Sequence, residues 1–359
     1  MNYRLAQILA EEAADTAGTK TIDIDIADPI SRISVFFRGQ NSSDTPLAHP
    51  AKMISKIEIL DGSDVLMSLS GRQAQSLDFY NGSKPIQNKL MYTNDDWSRM
   101  IFNLNFGRFL YDPLLALDSR KFKNAQLKIT HNKALGGCTC DYGYMEVWAD
   151  CFDEKQVSPM GFLMAKENYS FALSASGYEY IDLPKDYPYR MILISSLKTR
   201  LAVWELFDKI KLSSDNDKRV IIDGDTRQLI KMLDQQFGPY TETVQGIVGA
   251  AYATFYITPT SKCNVVTAGR MGAASYFTTW QTFGGTMEII ANAADQNFQS
   301  LAHGYAPHGA LAIPLGDLKD PDDWFDVAGV ESLKLRLHGE SSVSSSPTCD
   351  VVIQQLRNY

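Results

Sequence analysis

Histidines, thiols and clustered carboxylates are the side chains of this 359-residue chain equipped to hold a metal or move a proton. His303 and His308, in the run HGYAPHG, and the pair Cys138-Thr-Cys140 are the nitrogen and sulfur candidates. Zinc takes four such ligands in a tetrahedron, and neither pair has a second pair at a fitting spacing, so a tight turn is the better account of both. Acidic turns recur at Asp61-Gly-Ser-Asp64, Asp95-Asp96, Asp215-Asn-Asp217 and Asp320-Pro-Asp-Asp323. Their oxygens suit a hard cation, which makes Asp61, Asp64, Asp215 and Asp217 the candidate Ca²⁺ ligands. None has the twelve-residue calcium-loop pattern, and Asp and Asn favour turns for backbone reasons alone. There is no Gly-x-Ser-x-Gly elbow, no phosphate-cradling loop and no His-Glu-x-x-His. A glycosidase pair of carboxylates, roughly 5–10 Å apart, needs no sequence signature and stays open. The reading is a protein that is not an enzyme and has no cofactor, with Ca²⁺ the alternative at those four aspartates.

The elements that would carry these residues are strands. Hydrophobic residues at 45% and charged residues at 21% describe a folded chain. Its length suits two domains of about 150–180 residues each. A net charge of −8 speaks against a surface built to neutralise phosphates, and no sequence-specific nucleic-acid binding is expected. Five cysteines without framework spacing point to a reducing compartment. Thr21–Ile26 alternates with period two, as do Ile33, Val35 and Phe37, then Gln126–Thr130 and Tyr144–Trp148. Lys56–Leu60 and Val65–Leu69 predict a hairpin around Asp61–Asp64, and the spacing of Gly71–Tyr80 predicts a short helix. Seven or eight short strands in ~130 residues make a β-sandwich or jelly roll.

The plan is stated twice. IDIDIADPISRISVFFRG followed by KIEILDGSDVLMSLSGRQAQ aligns with YEYIDLPKDYPYRMILISS followed by KIKLSSDNDKRVIIDGDTRQL, Asp28 meeting Asp186 and Arg32 meeting Arg190. Farther on, Leu127-Lys-Ile-Thr130 answers to Leu333-Lys-Leu-Arg336 and Cys140-Asp141 to Cys349-Asp350. Order preserved across four weak matches is what marks a duplicated domain. The predicted fold class is therefore all-β, two tandem jelly-roll sandwiches: the first over 20–152, a linker over 153–177, and the second over 178–359. A long insertion of Gly, Ala, Thr and aromatic residues fills about 238–308; it either carries interaction specificity or buries apolar surface on the first copy. Residues 1–19, rich in Ala, Leu, Glu and Gln, predict an N-terminal helix with Leu5, Ile8 and Leu9 on one face. Those three, with the anchors Trp97, Trp204, Trp280 and Trp324, are the candidate interface residues.

The phrases KIEILDGSDVLMSLSGRQAQSLDFYNG, KIKLSSDNDKRVIIDGDTRQLI and DYPYRMILISS, set in tandem sandwiches behind a short helix, resemble the double jelly-roll major capsid proteins of tailless icosahedral viruses, membrane-containing bacteriophages among them. The resemblance spans nearly the whole chain. It implies a homotrimer of six rolls in a pseudo-hexagonal block that tiles a shell in the virion, after synthesis in the host cytoplasm. It also implies contacts with neighbouring trimers and with minor capsid and vertex proteins, the N-terminal segment facing any internal lipid membrane. No catalytic residues come with it. The alternatives are a carbohydrate-binding or carbohydrate-cleaving double sandwich and a vertex spike or receptor-binding protein.

Overall fold

The computed structural model describes residues 2–82, 86–154, 156–248, 252–269, 277–292, 296–341, 343 and 346–359. Nine strands and a helix come first: β1 (Tyr3–Ala13), β2 (Gly18–Asp23), β3 (Ile30–Asn41), β4 (Ile54–Asp61), β5 (Asp64–Leu69), α1 (Gly71–Tyr80), β6 (Leu90–Tyr92), β7 (Trp97–Asn105), β8 (Ala125–His131) and β9 (Cys140–Phe152). Eight of the strands form two sheets, β1-β9-β3-β7 and β2-β8-β4-β5, and β6 stands apart from both. The alternating apolar positions of both, such as Ile33, Val35, Phe37, Ile57, Ile59, Leu127, Ile129 and Val147, close one core.

The second copy repeats this with β10 (Gly161–Ala172), β11 (Tyr178–Asp182), β12 (Tyr189–Ser196), β13 (Phe207–Ser214), β14 (Arg219–Asp225) and α2 (Thr226–Phe237). After the insertion come β21 (Ala310–Pro314), β22 (Leu333–Gly339) and β23 (Thr348–Asn358). Its sheets run β10-β23-β12-β21 and β11-β22-β13-β14, the same permutation as in the first copy. Two jelly rolls in tandem are thus observed, as expected.

Two boundaries differ from the sequence reading. Residues 3–13 are not a helix but β1, antiparallel to β9. Helix propensity is a weak prior, and the edge of β9 offers a ladder that an isolated short helix lacks. Register shifts between Gln7 and Leu9 and between Leu9 and Glu12 break the period-two pattern; the bulges leave apolar residues at a spacing that mimics a helical face. Likewise, the expected linker holds β10, antiparallel to β23 over Gly161–Ala172. Each roll therefore starts about 17 residues earlier than the alternation alone indicated: the first at Tyr3, the second at Gly161.

The helix over 71–80 is where the spacing placed it. Ser70 accepts the N–H of Gln73 at 3.3 Å, and the Gln73 side chain takes the Ser70 N–H at 2.8 Å, a complete capping box. Asp225 caps α2 through the N–H groups of Arg227 and Gln228, so Ser70 and Asp225 are the equivalent positions. We expect Ser70→Ala to cost about 1 kcal/mol in urea unfolding with an unchanged denaturant slope; no loss would mean that Gln73 alone secures the helix start.

The rolls join edge to edge. β5 lies parallel to β10 at Ser68 and Lys166, giving one continuous sheet, β2-β8-β4-β5-β10-β23-β12-β21. β12 is buried along its whole length: Ile192 and Ile194 face the second core, while Met191 and Leu193 join the first roll's core with Ala74, Leu77 and Tyr80 of α1. Burial on both faces is why this strand reads YRMILISS instead of alternating. The insertion supplies β15 (Tyr240–Val248), β16 (Ala253–Tyr256), β17 (Pro259–Gly269), β18 (Phe277–Thr282), β19 (Thr286–Ala291) and β20 (Gln296–Pro307). They form a small sandwich of their own around Val244, Phe255, Met287, Ile289 and Phe298. Strand β6 of the first roll runs parallel to β15 and seats the insertion there.

Candidate assembly interface

The register of the two copies sets equivalent residues side by side. Tyr3 faces Phe152 as Gly161 faces Asn358, so Leu5 on β1 is the counterpart of Leu163 on β10. Ser213 faces Val220 as Leu60 faces Val65, so β14 is the counterpart of β5. In each pair the sequences are alike and the surroundings are not. Leu163 is fully buried, against Leu115, Trp324 and Leu356, whereas Leu5 is 65% exposed. Leu66 and Met67 on β5 are buried, whereas Val220 on β14 is 47% exposed and Ile221 and Ile222 are half-buried. The buried members, β5 and β10, are edges that pair within the chain; β14 and β1 are the matching edges, with no strand beyond them among the described residues. Long unpaired edges with exposed aliphatic side chains are templates for another chain.

The other candidate residues divide by position. Ile8 and Leu9 pack against the first core from β1. Trp324 is buried, its indole N–H donating to the Asp317 carbonyl at 2.9 Å, and it belongs to the junction between rolls. Trp97 lies half-buried with the Arg38 guanidinium over its ring at 4.5 Å. Trp204 stands edge-on to Phe283. Trp280, on β18 of the insertion, is 60% exposed. The acidic turns are engaged with the backbone and with cations. Asp61 accepts the N–H groups of Lys123 and Asn124, Asp64 meets Arg357, Asp215 accepts those of Glu331 and Ser332, and Asp217 pairs with Arg336 at 2.9 Å. Among the described residues, no three His, Cys, Asp or Glu side chains gather in metal-binding geometry. His303 sits on β20 against Thr241, and His308 is buried against Gln75. The five thiols are free and buried, and burial pushes that of Cys138 up to about 12.

Comparisons with sequence families and with curated proteins find no match. Comparison with solved structures does. The major capsid protein P2 of bacteriophage PM2 superposes with a TM-score of 0.57 at 11% identity, over 99% of this chain and 98% of that one. The major capsid protein of Sulfolobus Turreted Icosahedral Virus gives 0.59 at 10% identity, over 100% and 98%. VP54 of PBCV-1 gives 0.58 at 11%, over 99% and 94%. This chain has the double jelly-roll fold of viral major capsid proteins.

Within this double jelly roll, two buried polar clusters hold the parts together, and neither has a local sequence signal. The first seats the insertion. His49 Nδ1 accepts the N–H of Ala51 at 3.1 Å, so its proton sits on Nε2 and is donated to Thr258 Oγ1 at 3.0 Å. Thr258 in turn donates its hydroxyl to Glu242 at 2.8 Å and its N–H to the other carboxyl oxygen. Tyr240 lies 3.1 Å from the same carboxyl and 2.9 Å from the Ile86 carbonyl. Burial raises the Glu242 carboxyl to about 7 against those hydrogen bonds, and burial, then the Arg72 charge, lowers His49 to about 3. The second cluster ties the rolls: the buried Arg190 donates to the Leu318 carbonyl at 3.1 Å, to Gln354 at 2.7 Å and to Asn81 after α1.

Proposed function

We propose that this double jelly roll is the main subunit of an icosahedral viral shell, closing into a trimer by setting β14 of one copy beside β1 of the next. One observation carries the reading: equivalent strands are buried where the chain provides the neighbour and exposed where it does not, Leu163 against Leu5 above all. The joint inside one chain is then repeated between chains, and three chains make a ring of six rolls. A contact between two different edges is heterologous, and such contacts close into rings when the rotation allows. The solved structures of the same fold that are major capsid proteins support this use of it.

Light scattering on the purified chain should give three times 40.0 kDa. Leu5→Asp on β1 and Val220→Asp on β14 should each leave a folded monomer, because an unpaired carboxylate is driven into an apolar contact at about 2 kcal/mol or more. Mixed one to one, the two variants should form a dimer: Leu5→Asp keeps an intact β14, and Val220→Asp keeps an intact β1. A wild-type monomer at every concentration overturns the assembly reading. Variants that stay trimeric, or a mixture that stays monomeric, overturn the pairing of these two edges.

A further inference from the structure

A small polar cavity of about 180 Å³ lies where the first roll, the second roll and the end of the insertion meet. The start of α1 lines it with Ser70 and Arg72, the ends of β12 and β23 with Ser195 and Thr348, and the turn at residues 50–53 with Lys52. The largely buried Arg72 and the ammonium of Lys52 have no hydrogen bond or ion pair from their side chains among the described residues. Two cations face one half-open space whose lining holds a single carboxylate, Asp350, so positive charge is in excess there.

The other groups around the cavity answer only part of the positive charge. Asp350 is the carboxylate in the lining, and it is occupied by Ser170 at 2.7 Å and more weakly by Gln73 at 3.3 Å. His308 is a neutral ring bonded to Gln75, held uncharged chiefly by burial, with the Arg72 charge acting in the same direction. Arg72 and Lys52 both lie below their ordinary values, chiefly from burial, and Arg72 pushes Lys52 down further. Ser70 accepts the N–H of Gln73, which leaves its own hydrogen to give. The positive end of the α1 dipole points the same way.

We infer that this cavity is a binding site for a single phosphate-sized oxyanion, held by Arg72 and Lys52 with the hydroxyls of Ser70, Ser195 and Thr348. Arg72 offers a planar fork suited to two oxygens, and Lys52 a point charge. The volume is below the roughly 300–1,000 Å³ of sites for drug-sized ligands, so the occupant is a free ion and not a nucleotide. Bound there, the anion bridges α1 of the first roll to β12 and β23 of the second. The inference stands independently of the shell reading.

Thermal unfolding of the intact chain tests it. Saturating inorganic phosphate should raise the midpoint by roughly 5 °C over sodium chloride of equal ionic strength. Glycerol phosphate, whose tail the cavity has no room for, should raise it less. Arg72→Gln and Lys52→Gln should each abolish the phosphate response, while Lys56→Gln, on the exposed face of β4, should keep it. Lys52 is at the surface of its turn, so its variant answers the question even where Arg72→Gln does not fold. Equal shifts in phosphate and chloride, or a response that survives Lys52→Gln, would overturn the site. A larger shift with glycerol phosphate would overturn the assignment to a free ion.

Discussion

Replacing Arg190 with Met should destabilise the chain by about 3–5 kcal/mol, the largest single-site effect expected here. Arg190 is among the largest fully buried side chains, and among the described residues its hydrogen-bond partners are a carbonyl and two amides. Burial and the like charge of Arg108 lower its guanidinium to about 10, so it is still protonated at neutral pH. Asp112, whose charge also acts on Arg190, is committed to Arg108 at 2.6 and 2.8 Å. Met fills a similar length but leaves Gln354 and the Leu318 carbonyl without their donors, and each buried orphan costs about 1–3 kcal/mol. Arg190→Lys should recover only part of the loss, since one ammonium cannot span three acceptors set at the corners of a guanidinium. Urea unfolding followed by tryptophan fluorescence is the measurement. A loss under about 1 kcal/mol for the Met variant would mean that the rolls are held by their apolar junction of Leu115, Leu163, Trp324 and Leu356 alone.

The same arginine shows how far the sequence could be read. Arg32 and Arg190 align in the repeat and lie on corresponding strands, β3 and β12, Arg190 at the shift in register between Tyr189 and Met191. Arg32 finds Asp150 on the neighbouring strand at 2.8 Å, at a solvent-facing position. In the second copy α1 and the first core cover that face, and an amide, Gln354, stands beside the arginine instead. Alternation and turn chemistry reveal a strand's two faces, and so the hairpin at Asp61–Asp64 and the helix at Gly71–Tyr80 were legible. What lies against a face depends on chain folded from far away. Nothing in Trp280 and Trp324 as letters tells the exposed one from the buried one. For β1, bulges erased the only local signal, and the composition that remained pointed to a helix. Leu5, a candidate contact residue from the sequence, is an exposed aliphatic side chain on a strand edge.

The insertion should loosen as pH rises, and Glu242 is the reason. Its carboxyl is buried between Thr258 and Tyr240 and is raised from an ordinary 4.5 to about 7 by loss of water. The hydrogen bonds that Thr258 and Tyr240 donate to it favour the charged form and only partly offset the loss of water. Both histidines nearby, His49 and His308, are neutral and supply no counter-charge. Tyr92 and Cys263, also near, are themselves held protonated by burial and by the Glu242 charge. The sign follows from linkage. Below pH 4.5 folded and unfolded chains both hold the proton, and stability carries no penalty from this group. Between 4.5 and 7 the unfolded chain ionises while the folded one does not, so stability falls as pH rises. Above 7 the loss is complete, about 3 kcal/mol for a shift of this size. Glu242→Gln keeps the shape, accepts from Thr258, and cannot ionise. In parallel urea titrations the wild type should therefore lose about 3 kcal/mol relative to the variant between pH 4.5 and 7.5, with amide exchange in β15 and β20 quickening over the same range. Curves that run parallel across that window would mean that Glu242 ionises in the folded chain as readily as in water, and that the seam beneath the insertion is wet.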